Sequence, residues 1–175
     1  MKQIVLVLII ILISFSVGYA VRSMQAQSEN FRESRAISEK RVSGIGGVFF
    51  KSEDPQELRR WYSKHLGLDT DEYGTNFEWR QAEDSTIKGF TQWSPFHMKT
   101  EYFGKEEQQF MINYRVHDLE HLLEHLKSEG VIVVDSILVE EYGKFAHIFD
   151  LEGNKVELWE PFDEEYDKIV EGRTW

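Results

Sequence analysis

Cysteine is absent from the 175 residues, so the chain has no disulfide and no point for lipid attachment, and cysteine usage does not identify its compartment. Basic residues are few: 20 Lys and Arg stand against 31 Asp and Glu, a formal net charge of −11. Such a surface repels nucleic acid and anionic lipid headgroups, which argues against both as partners. The acidity could attract a cationic ligand or could serve solubility alone. Long apolar runs are also lacking, with one exception at the N-terminus. There Lys2 precedes an apolar run from Ile4 to Val17, followed by Gly18-Tyr19-Ala20 with the small residues a signal peptidase reads. Residues 1–21 are therefore expected to be a signal peptide or an uncleaved membrane anchor. The uncharged stretch from Gln3 to Val21 approaches the ~20 residues that span a bilayer, so both forms stay open. The expected location is exported, periplasmic or extracellular, or else anchored by this segment, which would be the chain's only membrane contact.

What is present fits one domain. Residues 22–41 are polar and lack apolar periodicity, as in a linker or stalk. The folded domain is expected over residues 42–162. Ile45 to Lys51 reads as a strand, and Asp54-Pro55-Gln56-Glu57 supplies an N-cap, a proline at the first helical position and a capping-box acid. A helix should follow, with Leu58, Trp61, Tyr62, His65 and Leu66 as its buried face and Gly67 as its stop. Short strands are expected around Leu68 to Glu72, Phe77 to Gln81 and Gly89 to Trp93.

The pattern then recurs. Phe110 to Val116 reads as a strand, Asp118 caps a helix with Leu119, Leu122, Leu123 and Leu126 on one face, Gly130 ends it, and Val131 to Leu138 begins three more strands. Asp54 and Asp118 lie 64 positions apart, as do Leu58 and Leu122, the constant offset of a duplicated unit. The expected fold class is α+β, with two tandem βαβββ modules at about 42–95 and 108–162. Their strands would form a curved, cup-shaped mixed sheet with helices on the convex side.

The last two strands form a hairpin, and its turn carries the most specific motif. Asp150-Leu151-Glu152-Gly153-Asn154 supplies turn formers between alternating segments. Alternation puts Val156 and Leu158 on one face and Lys155, Glu157 and Trp159 on the other. The sequence from Asp150 to Leu158 resembles the Asp-Pro-Asp/Glu-Gly-Asn-x-apolar-Glu-Leu hairpin of the vicinal oxygen chelate superfamily, which includes glyoxalases, extradiol dioxygenases and fosfomycin- and bleomycin-resistance proteins. Leu151 replaces the usual proline. The segment DPQELRRWYSKHLGL from Asp54 to Leu68 is similar to the first helix of that family.

The resemblance implies a cup that, in metal-dependent relatives, holds a divalent ion on one residue from the first and last strand of each module. Those positions fall here on Gly47, Gln92, Met111 and Glu157. Glycine offers no donor, the methionine sulfur is too soft for a hard divalent ion, and one carboxylate with a neutral amide is too small a set for a tight site. No metal and no other cofactor is expected. Weight shifts to organic contacts: strand parity gives the cavity face Gly47, Phe49, Phe90, Gln92, Met111, Asn113 and Arg115, and the hairpin adds Phe145, His147, Glu157 and Trp159. The candidate ligand-binding residues are thus Gln92, Met111, Asn113, Arg115, Phe145, Trp159 and Phe49. Arg115 could neutralise a ligand carboxylate or simply pair with Glu157.

Three functional readings follow. One is a binding protein that encloses a small organic molecule in a metal-free cup. Another is a glyoxalase-type lyase or isomerase in which Glu157, with His147, moves a proton beside a carbonyl. A third is an interaction module with a vestigial cup. The resemblance leaves monomer and homodimer open, because the modules of such proteins pair within one chain or across two. His117, His121 and His125 mimic a helical metal cluster, but they lie opposite the leucines and read as a solvated face. Residues 163–175 read as an acidic surface tail, with Trp175 as a candidate anchor at its end.

Overall fold

A computed structural model of the chain describes Arg22 and residues 41–82 and 84–174. The expected signal or anchor segment, all of the linker but Arg22 and Arg41, and Trp175 lie outside the described residues. Among the described residues the chain runs β1 (Val42–Ser52), α1 (Pro55–Leu66), β2 (Thr75–Arg80), β3 (Lys88–His97), β4 (Phe110–Val116), α2 (Leu119–Ser128), β5 (Leu138–Glu140), β6 (Gly143–Phe149), β7 (Lys155–Pro161) and α3 (Asp163–Val170).

All the strands join one mixed sheet in the order β2-β3-β1-β4-β7-β6-β5. Each half repeats the same geometry: β1 lies parallel to β3, and β4 lies parallel to β7. The halves meet where β1 and β4 pair antiparallel, Phe49 opposite Met111 and Gly47 opposite Asn113. Both modules therefore combine within one chain, and the cup needs no second copy to be built.

Local chemistry explains the helices. Asp54 accepts the Glu57 amide at 2.8 Å, Pro55 opens α1, and Gly67 ends it with a φ of 74°. Asp118 caps α2, whose Leu119, Leu122 and Leu123 are buried against Val116, Ala146 and Leu158. At about 1.5–3 kcal/mol per fully buried leucine, this cluster is a major source of stability on the convex face.

Three expectations require correction. Residues 68–72 form no strand, because the Asp71 carboxylate turns the chain there, accepting the Tyr73 amide at 2.7 Å and the Gly74 amide at 3.1 Å. A side chain that bonds its own backbone competes with strand pairing. Helix α1 buries no residue: it meets the sheet along Leu58 and Tyr62, with Tyr62 packed 4.8 Å from the Trp93 ring, while Trp61, His65 and Leu66 face outward. The acidic segment after Pro161 is a helix and not a surface tail. Its acids occupy the first turn, where they favour the positive end of the helix dipole. Tyr166 and Val170 recur at helical spacing and are buried against Phe90 and Trp159, so α3 packs on the face of the sheet opposite to α2.

Candidate functional site

Between the sheet and α3 lies a cavity of about 190 Å³. Eight of its thirteen lining residues are aromatic, among them Phe49, Phe96, Phe145 and Trp159. Strand alternation supplies most of the wall: Phe145 stacks on Trp159 at 6.0 Å with rings 7° from parallel, and Phe49 tilts against Phe96 at 5.5 Å. The sheet alone does not complete it, since Tyr166 comes from α3 and Tyr102 from the β3–β4 connection.

Glu157 stands at the centre of the polar part. It is 2% exposed, and a buried carboxylate is sustained only by nearby donors. Asn113, its partner across the β4–β7 pairing, donates from Nδ2 to Oε1 at 2.6 Å. Its antiparallel partner His147 places Nε2 3.0 Å from Oε2, and the Tyr102 hydroxyl donates to the same oxygen. Behind His147, Asp135 takes the other ring nitrogen at 2.6 Å and accepts the His147 amide at 2.9 Å. The Asp135 side chain is 41% exposed, so a chain of polar groups runs from the buried Glu157 to the surface. Burial, reinforced by the Glu157 carboxylate, pushes the Tyr102 hydroxyl far above the usual phenol range.

Of the residues anticipated from strand parity, Phe49, Gln92, Asn113, Phe145, Glu157 and Trp159 line this cavity. His147 stands one layer back, edge-on to the Tyr102 ring at 5.6 Å. Met111 does not reach the cavity: Phe103, from the β3–β4 connection, packs over it beside Phe49. Arg115 serves neither Glu157 nor the cavity. It is 1% exposed and holds Asp163 at 2.5 Å, an acid brought there by α3. Gly46 rather than Gly47 lines the cavity, because a bulge between Ile45 and Gly47 interrupts the alternation of β1. A side chain at Gly46 would collide with Asn113 Oδ1 and the Trp159 ring.

The residues present do not fit a divalent metal. Met111 is sealed beneath Phe103, and the Gln92 amide nitrogen donates to the Tyr73 carbonyl at 3.3 Å. Both nitrogens of His147 face carboxylate oxygens, so neither has a lone pair aimed at a shared centre. Glu157 Oε2 already serves two protein groups. Among the described residues no three His, Cys, Asp or Glu side chains are grouped as metal ligands.

Tyr102, Asp135, Tyr142 and Tyr166 were not anticipated as site residues. Tyr166 had a signal, since Tyr166, Ile169 and Val170 follow helical spacing. Tyr102 and Asp135 sit in irregular connections, where no periodicity marks the direction of a side chain.

The family model for the Glyoxalase/Bleomycin resistance protein/Dioxygenase superfamily matches residues 44–158. No curated protein matches the chain. Among solved structures, a methylmalonyl-CoA epimerase in complex with methylmalonyl-CoA and NH4+ superposes with a TM-score of 0.54 at 12% identity, covering 71% of this chain and 98% of that one. A variant of the Streptomyces coelicolor methylmalonyl-CoA epimerase in complex with 2-nitronate-propionyl-CoA gives 0.53 at 13% identity, covering 71% and 98%. The Mycobacterium tuberculosis methylmalonyl-CoA epimerase gives 0.46 at 21% identity, covering 70% and 91%. At 12% and 13% identity the likeness to the first two is one of fold.

Proposed function

The chain belongs to the Glyoxalase/Bleomycin resistance protein/Dioxygenase superfamily, and we propose that it uses the cup to bind a small organic molecule without a catalytic metal. The observation that carries this reading is the state of Glu157. In a metal-dependent relative the corresponding carboxylate would face an ion, whereas here protein donors from Asn113 and Tyr102, with His147 alongside, surround it. The aromatic lining supplies the apolar contact area that small-molecule sites use. A cavity of about 190 Å³ is smaller than the roughly 300–1,000 Å³ of drug-sized sites, so the ligand is compact.

A second reading has specific support. The Asp135-His147-Glu157 chain offers a route for a proton between the cavity and solvent, as a lyase or isomerase with Glu157 as base would need. Glu157→Gln separates the two. A binding protein retains ligand with modest loss, whereas an enzyme loses nearly all turnover while still folded. Metal analysis of purified protein that found stoichiometric zinc, nickel, manganese or iron would refute the metal-free reading.

Placement outside the cytoplasm, either released or tethered, is part of the same proposal. It rests on Lys2 and the apolar run from Ile4 to Val17. No helix among the described residues is long and apolar enough to cross a membrane. Fractionation with protease protection tests the location, and N-terminal sequencing distinguishes cleavage near Ala20 from retention.

A further inference from the structure

We propose that the ligand is a small organic cation, an alkylated ammonium group on a compact apolar body. This inference rests on the small-molecule reading and specifies the chemistry of that site.

Charge is the first ground. Among the described residues no Lys, Arg or His lines the cavity, and Glu157 does. Two carboxylates, Asp135 and Glu157, face the one imidazole of His147. An anionic or phosphate-bearing ligand would meet a carboxylate and no counter-charge. The nearest cations are already engaged outside the lining: Arg115 pairs with Asp163, and Lys155 Nζ donates to the Tyr102 carbonyl at 3.0 Å. They stand 5.9 Å from the Trp159 ring and 5.3 Å from the Tyr102 ring, respectively. The lining rings that meet neither of these cations include Phe49, Phe96, Tyr142 and Phe145. Aromatic faces attract cations through the ring quadrupole, most strongly where water is excluded.

Hydrogen-bonding capacity selects the kind of cation. A primary ammonium has three donors to satisfy, yet Glu157 has already committed much of its accepting capacity to Asn113, Tyr102 and His147. Among the described residues, the one buried acceptor in the lining without a partner is Asn113 Oδ1, on a side chain 3% exposed. It is aimed at the gap left by Gly46. Such a site offers negative charge and ring faces but few free acceptors, which suits an ammonium whose protons are replaced by methyl groups. Trp159 Nε1 is also unpartnered, but it is buried against Gly143, which does not line the cavity. The acidic protein, with a net charge of −11, concentrates cations near the entrance.

The test uses purified full-length protein and three probes of similar shape: choline, its uncharged isostere 3,3-dimethylbutan-1-ol, and 3,3-dimethylbutanoate. Binding is read by calorimetry and by melting temperature. Choline is expected to bind at least about tenfold more tightly than the alcohol, with no binding of the carboxylate. Glu157→Gln should remove most of that advantage, so that choline and the alcohol bind alike, and Phe145→Leu should weaken choline several-fold more than the alcohol. If the alcohol binds as well as choline, or the carboxylate binds best, the cation proposal fails and small-molecule binding stands. If none of these, nor a broader panel of neutral and anionic metabolites, binds or raises the melting temperature, the small-molecule reading fails and the cation proposal fails with it.

Discussion

Replacing Tyr102 by phenylalanine should lower stability and raise ligand affinity. The ring keeps its place, because it is stacked 2° from parallel on Phe96 at 5.6 Å. Only the hydroxyl that donates to Glu157 Oε2 is lost. A hydrogen bond to a charged acceptor is worth about 1.5–3 kcal/mol. Tyr102 is 38% exposed, so water can replace part of the donor, and the expected loss is about 1–2 kcal/mol. For a domain of this length that corresponds to a melting temperature lower by roughly 3–10 °C. Without that donor the Glu157 carboxylate is less compensated, so a cationic ligand should bind several-fold more tightly. Alkaline titration gives an independent check. The folded-state phenol is raised far above its unfolded value, so its contribution is complete below about pH 10, the unfolded tyrosine value, and declines as pH rises above it. The stability gap between wild type and Tyr102→Phe should therefore narrow above pH 10. Equal melting temperatures at pH 7, or weaker binding by the variant, would refute the idea that the hydroxyl competes with ligand for Glu157.

Two further perturbations probe the same cup from other sides. Gly46→Ala forces a methyl group into Asn113 Oδ1 and the Trp159 ring, which should cost about 1–3 kcal/mol by overpacking and abolish any ligand-induced rise in melting temperature; a variant that melts and binds like wild type would show that the gap at Gly46 has no role. Asp163→Ala leaves Arg115 buried without its counter-charge, at a cost of about 2–3 kcal/mol, below the ~3–5 kcal/mol of a fully enclosed pair because the Asp163 side chain is 35% exposed; Arg115→Met in the same chain should restore most of it, and additive losses in urea melts would refute the pairing.

The duplicated scaffold was legible because each module repeats a pattern that physical chemistry constrains tightly. Capping acids at Asp54 and Asp118, leucines at helical spacing and alternating strands all act locally, so their consequences can be read without knowing the fold. Parity along β7 correctly separated Leu158, which packs beneath α2, from Glu157 and Trp159, which line the cavity. Parity failed where a non-local event intervened. The bulge in β1 set Gly46 on the cavity, and Phe103 from a loop covered Met111. Arg115 was drawn to Asp163 by a helix whose acids had disguised its apolar stripe. In none of these instances does alternation along a strand show the deciding contact.

The same contrast accounts for the cup's chemistry. Duplication offers two equivalent sets of strand positions, and a metal site draws its ligands from both. Here the first module contributes Gly47, which leaves space for the Phe49 ring, and Gln92, whose amide is bonded to a neighbouring carbonyl. Glu157 alone retains a charged donor. What now surrounds it comes largely from segments that the repeat does not dictate: Tyr102 from the link between modules, Asp135 from the irregular stretch before β5, and Tyr166 from the helix added after the second module. None of those segments supplies a strand to the sheet. The strands fix where a ligand can sit, and the connections, by supplying rings and a hydroxyl in place of metal ligands, determine which chemistry it must have.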